Sequence, residues 1–231
     1  MPGMRRPAVV TPPPLDYYLV ARPDAILIEE FVFGPDRSAI GLDSVMWTGS
    51  WLLSADFSRR LRLDAKLRAR VTPVDRHGAG GAYRRLGGEL SGGLPDEKAL
   101  RARFRYRLPM ASAAPLRLTP PRVAEGFHDT RTYRILFADN LSEESIAALR
   151  ARWRMTGERG DGRVIGTAQH RVGADVFTWD LRRIGPSVAW CLDVTVDLAG
   201  AGDDTVGPVL RELTSQMRSH GMIPVTVERF S

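Results

Sequence analysis

Cationic side chains recur at alternate positions in two stretches of this chain. In RRLRLDAKLRARV, residues 59–71, Arg60, Arg62, Lys66, Arg68 and Arg70 alternate with Leu61, Leu63, Ala65, Leu67, Ala69 and Val71; Asp64 is the one carboxylate among the cations. In KALRARFRYRLP, residues 98–109, Arg101, Arg103, Arg105 and Arg107 alternate with Leu100, Ala102, Phe104, Tyr106 and Leu108. Alternation with a period of two is the pattern of a strand, whose successive side chains go to opposite faces. Guanidinium groups displayed together neutralise phosphates and release counterions. The pattern predicts an arginine-rich β-sheet face that holds a polyanion such as nucleic acid, or an acidic protein partner. Like charges on neighbouring strands repel, so such a face needs an anionic partner or full solvation. A solvated outer face in a composition biased toward arginine is the plain alternative.

Three further residues carry acid–base chemistry. Glu29 and Glu30 are consecutive inside the apolar run AILIEEFVF, so in a strand one of them faces inward or toward a cavity. With Tyr17, Tyr18, Trp47 and Trp51 they would line a pocket holding a carboxylate; the alternative is an edge-strand carboxylate in water. His170 falls on the side of Val164, Ala168 and Val172 in a predicted strand, where apolar surroundings would shift its titration. It reads as a general base or as a satisfied core histidine. Together these residues support the competing function, a small-molecule enzyme of cyclase, isomerase or hydrolase type, with Glu29, Glu30 or His170 as general acid or base. The position of a deep pocket separates the two readings: one lined by Glu29 or Glu30 favours the enzyme, a flat uncovered arginine face favours binding.

Other chemistries lack their signatures. HExxH and CxxC are missing, so no metal site is expected; GxGxxG, a phosphate loop and GxSxG are missing too, and no cofactor is expected. Phe104 and Tyr106 fall opposite the arginines and the RNA-recognition aromatic motif is absent, which weakens base stacking.

The chain of 231 residues carries a net charge of +6, 43% apolar and 26% charged residues. It can bury a full core without staples. Between Phe57 and Met110 there are 14 Arg and Lys against 5 Asp and Glu, a local +9 that leaves the remainder at −3. The basicity belongs to one region. The single cysteine, Cys191, excludes an intramolecular disulfide and reads as a buried thiol in a reducing cytoplasm. No apolar run has the length of a membrane span, and the N-terminus has no signal-peptide core. A cytoplasmic protein with no membrane partner is expected.

These residues must be positioned by an α+β chain in four parts. Residues 1–20 read as an extended proline-rich arm, 21–110 as a basic antiparallel β-sheet or small barrel, 111–130 as a linker, and 131–231 as a ferredoxin-like α+β domain. In the second part, strands are expected at 25–33, 44–55, 59–71, 82–90 and 98–109. In the last, a strand at 131–138 leads into a helix capped by Ser142. Strands at 163–172, 175–184 and 187–198 follow, then a helix capped by Asp203 or Asp204 and ended by Gly221, and a strand at 223–230. The order βα-βββ-αβ resembles the ferredoxin-like plan with one extra strand.

Overall fold

The computed structural model describes residues 14–88, 92–110, 122–157, 163–185 and 189–230. The first half begins with four antiparallel strands, β1 (Asp16–Val20), β2 (Ala25–Phe33), β3 (Ala39–Trp47) and β4 (Trp51–Leu53). Helices α1 (Ala55–Leu63) and α2 (Ala65–Arg68) follow, then strand β5 (Val71–Val74), helices α3 (Arg76–Arg85) and α4 (Glu97–Arg101), and strand β6 (Arg107–Pro109). The sheet runs β4-β3-β2-β1-β5, with β6 also on β3. It is open: no barrel closes, which corrects the expectation of one. Helices cover both of its faces instead. Ala25 and Leu27 point to Leu61 and Leu67 of α1 and α2, while Ile26 and Ile28 point to Ala79, Ala82 and Tyr83 of α3 and Leu100 of α4.

The first basic stretch is helical where a strand was expected, and the second is helix only as far as Arg101 and strand only at Arg107–Pro109. Residues 59–70 contain no β-branched side chain, and Leu, Arg, Ala and Lys all favour helix. Helix α1 buries Ser58 and Leu61, and Leu63, one of the apolar positions of the expected strand, is 78% exposed. Asp64 is no counter-charge on a sheet face. It caps α2, accepting from the backbone N–H groups of Lys66 and Leu67 at 2.8 and 3.3 Å. Asp96 starts α4 the same way, accepting from Ala99 N at 2.7 Å. Asp75 starts α3, accepting from Gly78 N at 2.7 Å, so the stretch expected as a strand from Ala82 is helix up to Arg85; Leu90 lies outside the described residues. The expected strand 44–55 is the β3–β4 hairpin, with Gly49 at φ +100° in the turn. Residues 16–20 of the expected arm are β1, paired on both sides. The linker expected at 111–130 lies outside the described residues as far as 121, and β7 begins before its end.

The second half contains β7 (Asp129–Ala138), α5 (Glu143–Arg152), β8 (Val164–Val172), β9 (Asp175–Ile184), β10 (Ala189–Leu198), α6 (Val206–Ser219) and β11 (Ile223–Arg229). The elements fall where the sequence places them, but the plan is not ferredoxin-like. The order is β11-β7-β10-β9-β8 with every neighbour antiparallel. Three antiparallel steps separate β8 from β7, so β8 runs opposite to β7, whereas the ferredoxin-like plan needs the strands flanking its first helix to be parallel. The extra strand reverses the direction. Only the β10–α6–β11 half keeps a crossover, with β7 between its strands. Ser142 caps α5, accepting from Ser145 N at 3.1 Å. Thr205 rather than Asp203 or Asp204 stands at the start of α6, and Gly221 at φ +86° follows its end. Ile146, Leu149 and Trp153 of α5 share one core with Leu210, Leu213 and Met217 of α6 and the inward side chains of the sheet.

Ion pairs join the halves. Asp203 accepts from Arg37 and from Arg131, both at 2.7 Å, and Arg218 of α6 meets Asp16 of β1 at 2.7 Å. Ile223 packs into the core of α1 and α2. No described helix is long and apolar enough to cross a membrane.

Candidate functional site

Strand β1 begins at Asp16, opposite Glu29. Beyond that point β2 continues to Phe33, paired among the described residues with β3 alone. Its other side opens onto a cavity of about 380 Å³. The far wall is α6 and β11, through Gly207, Leu210, Arg211, Thr214, Arg218, Pro224 and Val227. A third wall comes from Val74, Asp75, Arg76 and Glu97. The cavity therefore exists because one strand stops before its neighbour and a helix from the other half stands across the gap.

Glu29 and Glu30 both line it, yet their side chains leave β2 on opposite faces. Glu29 is fully buried and accepts from both terminal nitrogens of Arg62 in α1, at 3.1 and 2.8 Å. Glu30 goes to the α4 side, where Nε of Arg101 donates to its two oxygens at 2.9 and 3.0 Å. Arg101 also approaches Glu97 at 3.5 Å. Glu97 accepts from the Tyr17 hydroxyl at 3.2 Å, and that hydroxyl accepts from Arg76 at 2.7 Å. A continuous polar chain, Arg76–Tyr17–Glu97–Arg101–Glu30, thus runs along this wall.

Burial sets the proton affinities. It pushes the Glu30 carboxyl above its ordinary value, with Arg101 opposing. It raises Asp16 despite the Arg218 guanidinium. It takes the Tyr17 hydroxyl to about 12, with the Arg76 hydrogen bond opposing. Two carboxyl groups on this cavity therefore hold a proton more readily than carboxylates in water.

Of the aromatic residues expected around Glu29 and Glu30, only Tyr17 reaches the cavity. Tyr18 lies on the α1 face of the sheet. Trp51 stacks on Tyr83 at a ring separation of 5.8 Å, and Trp47 meets the same ring tilted at 4.7 Å. His170 is exposed on β8, not set in an apolar environment, and the edge strand that carries it lies four places from β11 in the sheet.

The nine cations do not share a face. Arg60, Lys66 and Arg70 are exposed with α1 and α2 on one side of the first sheet; Arg103 and Arg105 are exposed beyond α4 on the other. Arg62, Arg101 and Arg107 are bound to Glu29, Glu30 and Asp43. Arg68 donates to the backbone oxygens of Leu61 and Arg62. Arg103 stands 5.0 Å from the centre of the Trp51 ring.

Arg37, Arg211 and Arg218 of the cavity, with Phe31 and Phe33, were not recognisable in the sequence as site residues. One signal was present: Gly207, Arg211, Thr214 and Arg218 recur at helical spacing beside the apolar stripe of α6, a polar stripe of the kind that lines a cleft. Among the described residues no group of three or more His, Cys, Asp or Glu side chains is placed to hold a metal ion. Comparison of the chain with protein-family models, curated proteins and solved structures returned no match.

Proposed function

We propose that this chain binds a small, partly apolar molecule between β2 and α6 and performs acid–base chemistry on it, with Glu30 giving and taking the proton. The observation that carries this reading is the place of Glu30: a carboxyl group on the wall of a ligand-sized cavity, its proton affinity raised by burial. Small-molecule sites are mostly apolar clefts of roughly 300–1,000 Å³ with a few convergent polar groups, and Phe31, Phe33, Leu210, Pro224 and Val227 supply the apolar lining here. A general acid or base works best with a pKa near the working pH, and desolvation moves Glu30 in that direction. Arg101 holds the carboxylate in one orientation. Proton transfer of this kind serves isomerisation, cyclisation and hydrolysis alike.

Two measurements test it. N-phenyl-1-naphthylamine, a neutral apolar dye, should gain fluorescence on the wild-type protein and not on Thr214→Trp, which fills the cavity. A small-molecule extract incubated with wild type should show compounds consumed and formed that Glu30→Gln leaves untouched. Identical mass profiles from the two proteins would overturn the role given to Glu30.

Polyanion or acidic-partner binding stands as a second proposal. It is supported by the exposure of Arg60, Lys66, Arg70, Arg103 and Arg105.

A further inference from the structure

Most charged side chains on the cavity walls have a partner of their own. Asp16 meets Arg218, Glu29 meets Arg62, and Glu30 and Glu97 share Arg101. Arg37 is held by Asp203, and Arg76 by Tyr17 and the carbonyl oxygens of Leu94 and Pro95. Arg211 has no carboxylate partner among the described residues. Its charged neighbour is instead another arginine. A methyl group built at Gly207 would stand 3.3 Å from Nη1 of Arg211 and 3.7 Å from Nη1 of Arg37, so both guanidinium groups lie against the same bare point of the backbone. A side chain at Gly207 would press on Arg211 and only touch Arg37. Arg211 is an exposed residue that also lines the cavity, and partial burial and the charge of Arg37 both lower its proton affinity.

Two neighbouring features favour an anion at the same place. Gly207 is the second residue of α6, a helix of 14 residues, so the positive end of its dipole lies there. Thr205 sets no side-chain oxygen on the first turn; its hydroxyl donates to Asp175 at 2.7 Å. Of the two nearby carboxylates, Asp203 is already occupied on both oxygens by Arg37 and Arg131, and Asp204, which also acts on Arg37, is exposed. The same cavity is lined by Phe31 and Phe33, whose rings are 6.3 Å apart, and Phe33 is 37% exposed.

We propose that Arg211 and Arg37 form an anion subsite at one end of the cavity, and that the molecule bound there has an apolar body and a single anionic head, a carboxylate or a phosphate. This rests on the small-molecule reading of the cavity and adds the charge of its ligand. The apolar body lies along Phe31, Phe33, Leu210 and Val227, and the head lies over Gly207 between the two guanidinium groups.

A matched pair of dyes tests the subsite. 8-Anilinonaphthalene-1-sulfonate has the skeleton of N-phenyl-1-naphthylamine plus one sulfonate. Wild type should bind the anionic dye about tenfold tighter than the neutral one, the preference of one well-placed charge pair. Arg211→Gln should bring the affinity ratio close to one, Arg211→Lys should retain most of it, and added salt should reduce it. Octanoate and octyl phosphate, titrated separately against the bound anionic dye, identify the head: displacement by either supports the subsite, and displacement by neither overturns it. A ratio unchanged in Arg211→Gln also overturns it, as does a wild type that binds the neutral dye in the cavity with no preference for the anion. Absence of neutral-dye binding, or binding that survives Thr214→Trp, defeats the cavity reading itself and the subsite with it.

Discussion

Arg62 of α1 closes on both carboxylate oxygens of Glu29, at 3.1 and 2.8 Å, and only 6% of the arginine side chain meets solvent. The guanidinium also donates to the carbonyl oxygen of Ser58 at 2.8 Å and stands 5.4 Å from the centre of the Phe31 ring. It locks a helix to the sheet one residue before the proposed catalytic carboxylate. Replacing Arg62 by alanine strands a buried charge, which costs about 3–5 kcal/mol. Glu29→Gln combined with Arg62→Met should recover much of that loss, since neither charge then remains buried alone. Urea unfolding of the three proteins measures this; a loss below about 0.5 kcal/mol for Arg62→Ala would mean a solvated arginine.

The exposed cations form two groups separated by the sheet. Heparin retention should therefore respond additively. Arg60→Ser, Lys66→Ser and Arg70→Ser together should lower the eluting salt by one amount, and Arg103→Ser with Arg105→Ser by another. The variant carrying all five changes should show the two effects added. A combined loss well beyond the sum would mean that one polyanion spans both groups.

Acid should loosen the junction between the halves. The hydrogen bond from Arg37 holds Asp203 below the ordinary carboxylate range, with Arg131 adding to it against the cost of burial. A carboxyl group lowered on folding contributes stability above its unfolded pKa, and that contribution is lost as the pH falls through its folded value. Asp203→Asn should cost about 1 kcal/mol at neutral pH, allowing for partial exposure. The gap between variant and wild type should narrow below about pH 4. Urea midpoints across the acid range read this directly, and a gap independent of pH would contradict it.

Cys191 is fully buried in β10, and burial pushes its thiol up to about 12, with Asp193 adding to the effect. Native protein at about pH 8 should leave a thiol-reactive disulfide reagent untouched, because the reactive species is the exposed thiolate. Unfolding in guanidinium chloride should expose one equivalent. Fast labelling of folded protein would show that β10 opens locally.

Much of the second half was readable because local signals agreed. Ser142 with Glu143 and Glu144 marks the start of α5, and Val206, Leu210, Leu213 and Met217 mark the buried side of α6. In the first half, two signals conflicted. Alternation in residues 59–71 proposed a strand; composition and a capping aspartate at position 64 proposed helix, and helix formed. Leucine and arginine at every second position satisfy a strand on paper, but helices α1 and α4 bury Leu61 and Leu100 and leave Leu63 to solvent. Asp96 before the second stretch gave the same warning.

Residue order alone determined that Glu29 and Glu30 leave β2 on opposite faces, since successive side chains of a strand must do so, and that one region holds the excess positive charge. It also marked the start of α5 at Ser142 and the end of α6 at Gly221, because caps are local chemistry among three or four neighbouring residues. Only the tertiary structure decided what meets those carboxylates: Arg62 is 33 positions from Glu29, and Arg101 is 71 from Glu30. The same holds for the cavity, which exists where β1 stops short of β2 and α6 crosses the gap, and for the meeting of Arg37 with Arg211 at Gly207. Such contacts join segments far apart in the chain, and their partners are chosen by how the layers pack, not by periodicity or propensity within any one segment.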